Sequence, residues 1–315
     1  MTRQKRKYAI VDLEATSAGS NAKIIQVGIV IIEDGRIRQS YETDVNPNER
    51  LDEHIKQLTG LTDARLKKAP EFAQVAKEIF ELIEDAVFVA HNVKFDANLL
   101  AEALFWEGFE LTTPRIDTVE LSQIFYPTLE RYNLGALAAE LEIELHHAHS
   151  ALADAMATAQ LLLKLREKIA SLPRGLIEKL LSMADCLIYE SRLLIEDALE
   201  DSSLFLPAHL VEVHGLYLRK PQQFLESRHL SEQFELNMQL LGMEAYPEQR
   251  EFVAYIEDSL QQPLPSFIEA PTGIGKTYAY LLTLLAKTSK RILVSVPTKI
   301  LQDQIMKKEG KTIQD

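Results

Sequence analysis

The sequence predicts an α/β protein: a mixed-sheet domain with helices packed on it, a mostly helical connector, and the N-terminal part of a second α/β domain. Three observations predict this. Residues 8–45 read as three hairpin-linked strands. From residue 70 onward helical and strand patterns alternate, which calls for a mixed sheet covered by helices. From residue 241 a helix, a strand, a glycine-containing loop, a helix and another strand follow in order.

Tyr8 to Glu14 form a short apolar run bounded by charge, the mark of a buried strand. Ile24 to Ile32 are apolar and β-branched, Asp34-Gly35 is a hairpin turn, and Arg36 to Val45 return as the third strand, ended by Pro47 and Asn48. Phe72, Val75, Ile79, Leu82 and Ile83 recur at helical spacing, so a helix is expected from Pro70 to Glu84, with proline at its first position. Ala86 to Ala90 read as a short buried strand leading into His91-Asn92. A helix is then expected from about Asp96 to Trp106, a strand over Arg115 to Asp117, and helices over Leu134 to Leu141 and Ser150 to Ile169. The first domain is therefore placed at residues 1–169, because Pro173-Arg174-Gly175 breaks the pattern. Residues 170–240 are read as a connector holding one long amphipathic helix, Leu176 to Leu199, and strand-like pieces over Val211 to Leu218. In residues 241–315 the expected elements are helix 247–260, strand Ser266 to Glu269, helix 276–287 and strand 291–296.

Composition narrows the class. A chain of 315 residues with 46% hydrophobic side chains can bury a real core in about two domains. No apolar run reaches the roughly 18 to 20 residues that a membrane span needs. The basic stretch Thr2 to Lys7 precedes only a short apolar strand, so it reads as a frayed terminus and not as a signal peptide. Cys186 is the only cysteine. That excludes an intrachain disulfide and a cysteine-built zinc site, and it fits a cytoplasmic location. Cys186 itself reads as a buried helix residue, Trp106 as core or helix-end packing, and Glu196 to Asp201 as a solvated helix end. The net charge of −13 argues against broad gripping of duplex phosphates, but not against holding a strand end through bound cations.

Asp12 and Glu14 lie two apart on a strand, so their side chains share a face. Two carboxylates ending a buried strand fit a divalent cation, for which hard oxygen ligands suit Mg²⁺ or Mn²⁺; taken alone they also fit a strand end that meets solvent. His91-Asn92-Val93-Lys94-Phe95-Asp96 opens a helix after a buried strand, where Asp96 can act as a ligand or as an N-cap. His149 precedes Ser150, a candidate cap, and Asp154 lies on the early turns of the following helix.

Asp-x-Glu, His-Asn-x-x-Phe-Asp and His-x-x-x-x-Asp, in that order, resemble the DEDDh exonucleases, a DnaQ-like family that includes the proofreading subunit of bacterial DNA polymerase III. The resemblance covers about residues 8–165. It implies an RNase H-like fold and 3′→5′ removal of nucleoside monophosphates from nucleic-acid ends. It also implies two metal ions held by Asp12, Glu14, Asp96 and Asp154, with His149 as general base near neutral pH. By the same resemblance Asn92 orients the site, Thr16 approaches the terminal nucleotide, and Phe95 packs as core. Ser17 stands where many relatives carry glycine.

A second motif follows. Ala270-Pro271-Thr272-Gly273-Ile274-Gly275-Lys276-Thr277 comes after an apolar run and opens a helix. Glycines let backbone wrap a phosphate, Lys276 reaches the outer phosphates, and Thr277 can hold Mg²⁺, so ATP–Mg²⁺ is the expected ligand. Ala270 occupies the position where the full motif has glycine. With Pro247-Glu248-Gln249-Arg250 upstream and Val294-Ser295-Val296-Pro297-Thr298-Lys299 downstream, this region resembles superfamily 2 helicases of the DinG and XPD type. That resemblance implies that Gln249 contacts adenine and that Pro297-Thr298 begins an element touching single-stranded DNA. The two halves together resemble DinG-type proteins in which an exonuclease domain precedes a helicase, which implies work in DNA repair or replication on a single-stranded DNA 3′ end.

Two alternatives remain open at this level. One is a nucleic-acid-binding or tethering module with slow or no catalysis; the other is an exonuclease directed at RNA, because chemistry centred on the phosphate ignores the 2′ position unless a pocket reads it. No second acidic motif follows Thr277 to complete an ATPase site. The 315-residue chain alone is therefore expected neither to hydrolyse ATP efficiently nor to unwind DNA, and steady phosphate release from ATP by the purified chain would overturn this.

Overall fold

The computed structural model describes residues 6–19, 21–145, 150–220, 230–231, 233–262, 264–288 and 291–314. The chain divides into two compact units, Met1–Lys220 and Pro221–Asp315. No helix among the described residues is long and apolar enough to cross a membrane.

The first unit is built on a five-stranded sheet of order β3-β2-β1-β4-β5. Strands β1 (Tyr8–Ala15), β2 (Ile24–Glu33) and β3 (Arg36–Asp44) pair antiparallel, while β4 (Val87–Ala90) and β5 (Arg115–Asp117) add in parallel on the other side of β1. The turn after β2 places Asp34 at φ 53° and Gly35 at φ 70°, both left-handed, as a tight hairpin requires. This mixed sheet is the expected RNase H-like arrangement. β1 is central because it is apolar on both faces. Tyr8 and Ile10 point into one core with Val30, Ile32, Val89 and Ile116. Ala9, Val11 and Leu13 point into the other with Val27, Ile29, Ile31 and Phe88.

Helices α3 (Phe72–Ile83) and α4 (Val93–Trp106) cover the second face. Helices α5 (Thr118–Phe125), α6 (Leu134–Glu140), α7 (Ala151–Ala170), α8 (Arg174–Met183) and α9 (Arg192–Asp201) cover the first. Two short helices, α1 (Glu53–Thr59) and α2 (Asp63–Leu66), had no apolar period long enough to be read from sequence. They close a satellite core in which Ile25 meets Leu51, Leu61 and Leu66.

Several expectations need correction. Pro70 lies outside α3, whose N-cap is Glu71, with its backbone N–H donating to the Gln74 side chain at 2.9 Å. The single helix expected over Leu176 to Leu199 is two helices separated by a 3₁₀ turn, Ala184–Cys186. Cys186 is exposed on that turn, not buried in a helix. Trp106 ends α4 but is 76% exposed, so it is not core. The acidic run at the end of α9 is not merely solvated. Asp197 is buried, accepts the Tyr8 hydroxyl at 2.6 Å and pairs with Arg6, which also bridges Glu196. Burial beside Asp197 pushes the Tyr8 phenol well above its ordinary pKa. Arg6 thus anchors the end of the arm that was read as frayed, while residues 1–5 lie outside the described residues. The strand-like pieces near Val211 form a hairpin, β6 (Leu210–Val213) with β7 (Leu216–Arg219).

The second unit packs α10 (Phe234–Leu240), α11 (Pro247–Leu260) and α12 (Lys276–Lys287) around Phe234, Met238, Val253, Ala279 and Leu282. Residues 266–269 and 291–296, expected as strands, are not laddered, and Phe267 and Leu293 are 99% and 93% exposed. A strand exists only through its partner's hydrogen bonds, and among the described residues these segments have none. Helical turns continue over 299–314.

Candidate metal centre

The parallel pairing of β1, β4 and β5 brings their C-terminal ends to one edge of the sheet, and the candidate residues gather there. Asp12 and Glu14 continue the face begun by Tyr8 and Ile10, as the period of two requires. The same face receives α7. What sets the distance between them is Gly28, directly opposite Asp12 on β2. A Cβ at Gly28 would overlap the backbone of Ala151 and Leu152, so the first turn of α7 rests on bare strand backbone. Gln26, opposite Glu14, caps that helix: its side-chain oxygen accepts from the Ala151 amide at 3.0 Å, and its nitrogen donates to Asp44 at 2.9 Å. Ser150, expected as the capping side chain, occupies the N-cap position without making the cap bond; its hydroxyl donates to Glu42 at 3.4 Å. The close seating delivers Asp154 to Asp12 and Glu14, and ligand oxygens of the three lie within 4.8 Å of one another.

Asp96 approaches from the other layer. It lies in the first turn of α4 and is not the N-cap; that position belongs to Asn92, at φ 72°. Its carboxylate accepts from the Leu13 amide at 3.0 Å, between Asp12 and Glu14 in sequence. The β1–β4 ladder ends at Ile10 and Val89, so beyond it this amide takes a side-chain acceptor instead.

Four acids at one strand end are electrostatically unfavourable without a cation. Burial, and the proximity of Asp96, Asp154 and Glu14, hold the Asp12 pKa well above the ordinary carboxylate range. Burial and the Asp154 charge push Glu14 up to about 7. Burial also raises Asp96 to about 7, against the opposing pull of the Leu13 amide. A buried cluster of hard oxygen donors that resists ionising by itself fits divalent cations. A Gly28→Ala substitution should push α7 off β2 and separate Asp154 from Asp12. We expect a fall in thermal midpoint together with loss of metal-induced stabilisation, and a variant that keeps both would show that the close approach is dispensable.

The remaining predicted residues fall as follows. Asn92 is held by its amide, which donates to Asp117 at 3.1 Å, and its side chain is exposed. Asp117 also caps α5 through the Val119 amide at 2.8 Å. His91 is bound at both ring nitrogens, to the Thr118 hydroxyl and the Tyr132 carbonyl at 2.9 Å each, and burial lowers its pKa. Phe95 is half-buried and lines a surface hollow, so it is only partly core. The Thr16 hydroxyl accepts from the Lys23 amide at 3.1 Å and closes the loop after β1. His149 lies outside the described residues. Sequence reasoning missed Gly28, Gln26 and Asp117. The first two had a signal: one glycine and one polar residue inside an otherwise apolar β-branched run.

In the second unit, Gly273 and Gly275 are left-handed at φ 87° and 74°, and Gly275 is the N-cap of α12. A side chain at Gly275 would also meet the amide of Gln249. Gln249 is buried; its amide donates to the Gly275 carbonyl at 3.3 Å, and its oxygen accepts from Tyr246 at 3.0 Å. The Lys276 ammonium donates to the carbonyls of Ala270 and Pro271 at 3.0 and 2.6 Å. Pro271, Thr272 and Gly273 are exposed, while Ile274 and Thr277 are half-buried.

Residues 9–162 match the family described as Exonuclease, and residues 246–314 match the family described as DEAD/DEAH box helicase. Among characterised proteins, the 3′-5′ exonuclease DinG of Bacillus subtilis is 31% identical, over 99% of this chain and 35% of its own length. The protein of the same name from Staphylococcus aureus (strain USA300) is 32% identical, over 96% of this chain and 35% of its own. The chain thus spans about a third of the length of these relatives. Among solved structures, Exonuclease X in complex with 5′ overhanging duplex DNA is 24% identical with a TM-score of 0.41, covering 51% of this chain and 91% of that one. The nuclease domain of 3′hExo, a DEDDh family member bound to rAMP, is 18% identical with a TM-score of 0.46, covering 52% and 92%.

Proposed function

The chain carries an exonuclease-family domain at residues 9–162 and a DEAD/DEAH box helicase segment at residues 246–314, and from that premise we propose that its first unit is a metal-dependent 3′→5′ exonuclease acting on single-stranded DNA ends. The observation that supports it is the meeting of Asp12, Glu14 and Asp154 oxygens within 4.8 Å, with Asp96 against the same strand. These four carboxylates would hold two divalent ions, Mg²⁺ or Mn²⁺. Bound there, such ions supply Lewis-acid activation of the attacking water and stabilisation of the leaving 3′ oxygen. His149, the residue before Ser150 in the sequence, would act as general base toward the attacking water. Asn92, fixed by Asp117, and Thr16, on the loop after β1, position the terminal nucleotide. The product is a nucleoside monophosphate.

The second unit's loop, Ala270 to Thr277, is the proposed ATP–Mg²⁺ site. Phosphate oxygens would replace the two carbonyls that now accept from Lys276, and Gln249, which donates to the Gly275 carbonyl, would meet the adenine. The helicase segment favours DNA over RNA and a cytoplasmic role in repair or replication. The proposed division of labour assigns residues 1–169 to the nuclease, 170–240 to a connector and 241–315 to nucleotide binding.

The test is a 5′-labelled single-stranded DNA incubated with the 315-residue chain and Mg²⁺ or Mn²⁺, with the matching RNA beside it. Shortening from the 3′ end that disappears with EDTA supports the reading. A folded protein that shortens neither strand with either metal overturns it in favour of a binding module, and preference for the RNA strand overturns the DNA assignment.

A further inference from the structure

Beyond the carboxylates, the outer side of α4 carries a groove of which the proposed function uses only Asn92. It consists of two hollows. The nearer holds about 330 Å³ and includes Asn92 and Phe95, within one helical turn of Asp96. The farther holds about 570 Å³ and ends at Phe72 and Trp106. Ala22, Leu99 and Glu102 line both, so the two hollows adjoin along α4. α4 has 14 residues, which makes the channel roughly 20 Å long.

Its far end is chemically unusual. Trp106 is 76% exposed and Phe105 beside it 66%, their rings edge to face at 6.0 Å. Large aromatic surface left in water at a helix end calls for a partner. The lining is amide-rich, with Asn21, Asn46 and Asn98; the side-chain oxygens of Asn46 and Asn98 already accept from the Asn48 amide and Arg115, and their NH₂ groups are donors. Glu71, Glu102 and Glu107 are exposed lining residues, and Lys23 and Lys94 also line the groove. Lining carboxylates repel a phosphate backbone but accept hydrogen bonds from exocyclic base amines. Aromatic faces stack on any base. The set therefore fits unpaired bases facing inward with phosphates facing solvent, and it does not fit a duplex.

We infer that this groove binds the single-stranded nucleotides upstream of the 3′ end, with Trp106 stacking on a base several positions from the cleaved bond. The inference rests on the exonuclease reading, because a polymer whose end lies at Asp12 must leave the site along some surface, and the nearer hollow begins at Asn92 and Phe95, within one helical turn of Asp96 on α4. At the stacked spacing of about 3.4 Å per nucleotide, 20 Å accommodates about six nucleotides, and fewer if the strand is stretched.

Trp106 is the only tryptophan in the chain, so its fluorescence reports on this groove alone. In EDTA, a single-stranded DNA octamer is expected to quench it and a dinucleotide is not. With Mn²⁺, Trp106→Ala should raise the octamer KM relative to the dinucleotide KM by about ten-fold, the scale of one lost stacking contact. Trp106→Phe should recover most of that difference. Equal quenching by the dinucleotide, no quenching by the octamer, or an Ala variant whose KM ratio matches wild type would overturn the inference. The two readings fail separately: quenching by the octamer from a protein that shortens no strand keeps the groove and removes the nuclease, while shortening without quenching does the reverse.

Discussion

An Asp12→Ala variant should lose 3′-end shortening by at least about a thousand-fold while remaining folded. Metal-centred stabilisation of a phosphoryl transition state is worth several kcal/mol, and each 1.4 kcal/mol is about ten-fold in rate. Asp12 is the acid coupled to all three others, so its removal disrupts the whole set. Glu14→Ala should behave similarly, because its oxygen shares the 4.8 Å cluster. Cys186→Ser, at an exposed thiol on a 3₁₀ turn, should be indistinguishable from wild type. The measurement is the rate of shortening of a 5′-labelled strand in Mn²⁺, with circular dichroism to confirm folding. Retention of more than about a tenth of the wild-type rate by Asp12→Ala would remove it from the chemistry.

The second large effect has the opposite sign. In the metal-free protein Asp12→Asn should be more stable than wild type, and increasingly so as pH rises. The folded pKa values of Asp12, Glu14 and Asp96 are raised, the latter two to about 7. Below the ordinary carboxylate pKa, folded and unfolded chains are both protonated and the cluster is neutral. Between about pH 4 and pH 7 the unfolded chain releases protons that the folded site retains, so stability falls as pH rises. Above that window Glu14 and Asp96 are ionised in both states and their contribution stays constant. A carboxamide at position 12 removes one participant. Thermal melts in EDTA at pH 5 and pH 8 should show the variant's advantage growing to several degrees at the higher pH, since about 1 kcal/mol shifts a domain of this size by about 2–4 °C. Mg²⁺ or Mn²⁺ should raise the wild-type midpoint at pH 8 and leave the variant nearly unmoved. A variant advantage equal at both pH values would mean that the cluster carries no stored repulsion.

The two expectations share one cause. A site that concentrates negative charge for a cation is destabilising until the cation arrives, so activity and metal-free stability trade against each other at the same residues.

How far the sequence reached differs between the two units. In the first, the alternation of Tyr8, Ile10, Asp12 and Glu14 fixed which side chains share a face, because a strand's period of two is a property of the backbone itself. The spacing of Asp154 after Ser150 put that acid on the early turns of a helix, whereas Asp96, read as the helix start or its N-cap, lies in the first turn because α4 begins at Val93. Those local regularities were enough to predict the mixed sheet, while the carboxylate set was implied only by the resemblance of the ordered motifs to the DEDDh exonucleases. They could not say that Gly28 would receive α7, that Gln26 and not Ser150 would cap it, or that Asp117 would hold Asn92. Each of those contacts joins residues 25 or more positions apart, and backbone approach depends on how layers stack, which no local pattern encodes. The acidic run of α9 shows the same limit: Asp197 and Glu196 look like surface charges until Arg6 and Tyr8 arrive from the other end of the unit.

In the second unit the balance reverses. The glycines of the phosphate loop were legible because only glycine adopts left-handed turns at no steric cost, and both positions do so. The strands at 266–269 and 291–296 were not decided by their own composition, since apolar β-branched residues need neighbours to ladder with. Sequence alone determined which side chains share a strand face and where the glycine turns lie, because these follow from backbone periodicity and residue type. Tertiary structure alone decided how closely the layers meet and which surfaces remain open, including the groove along α4, because those depend on pairs of segments distant in the chain.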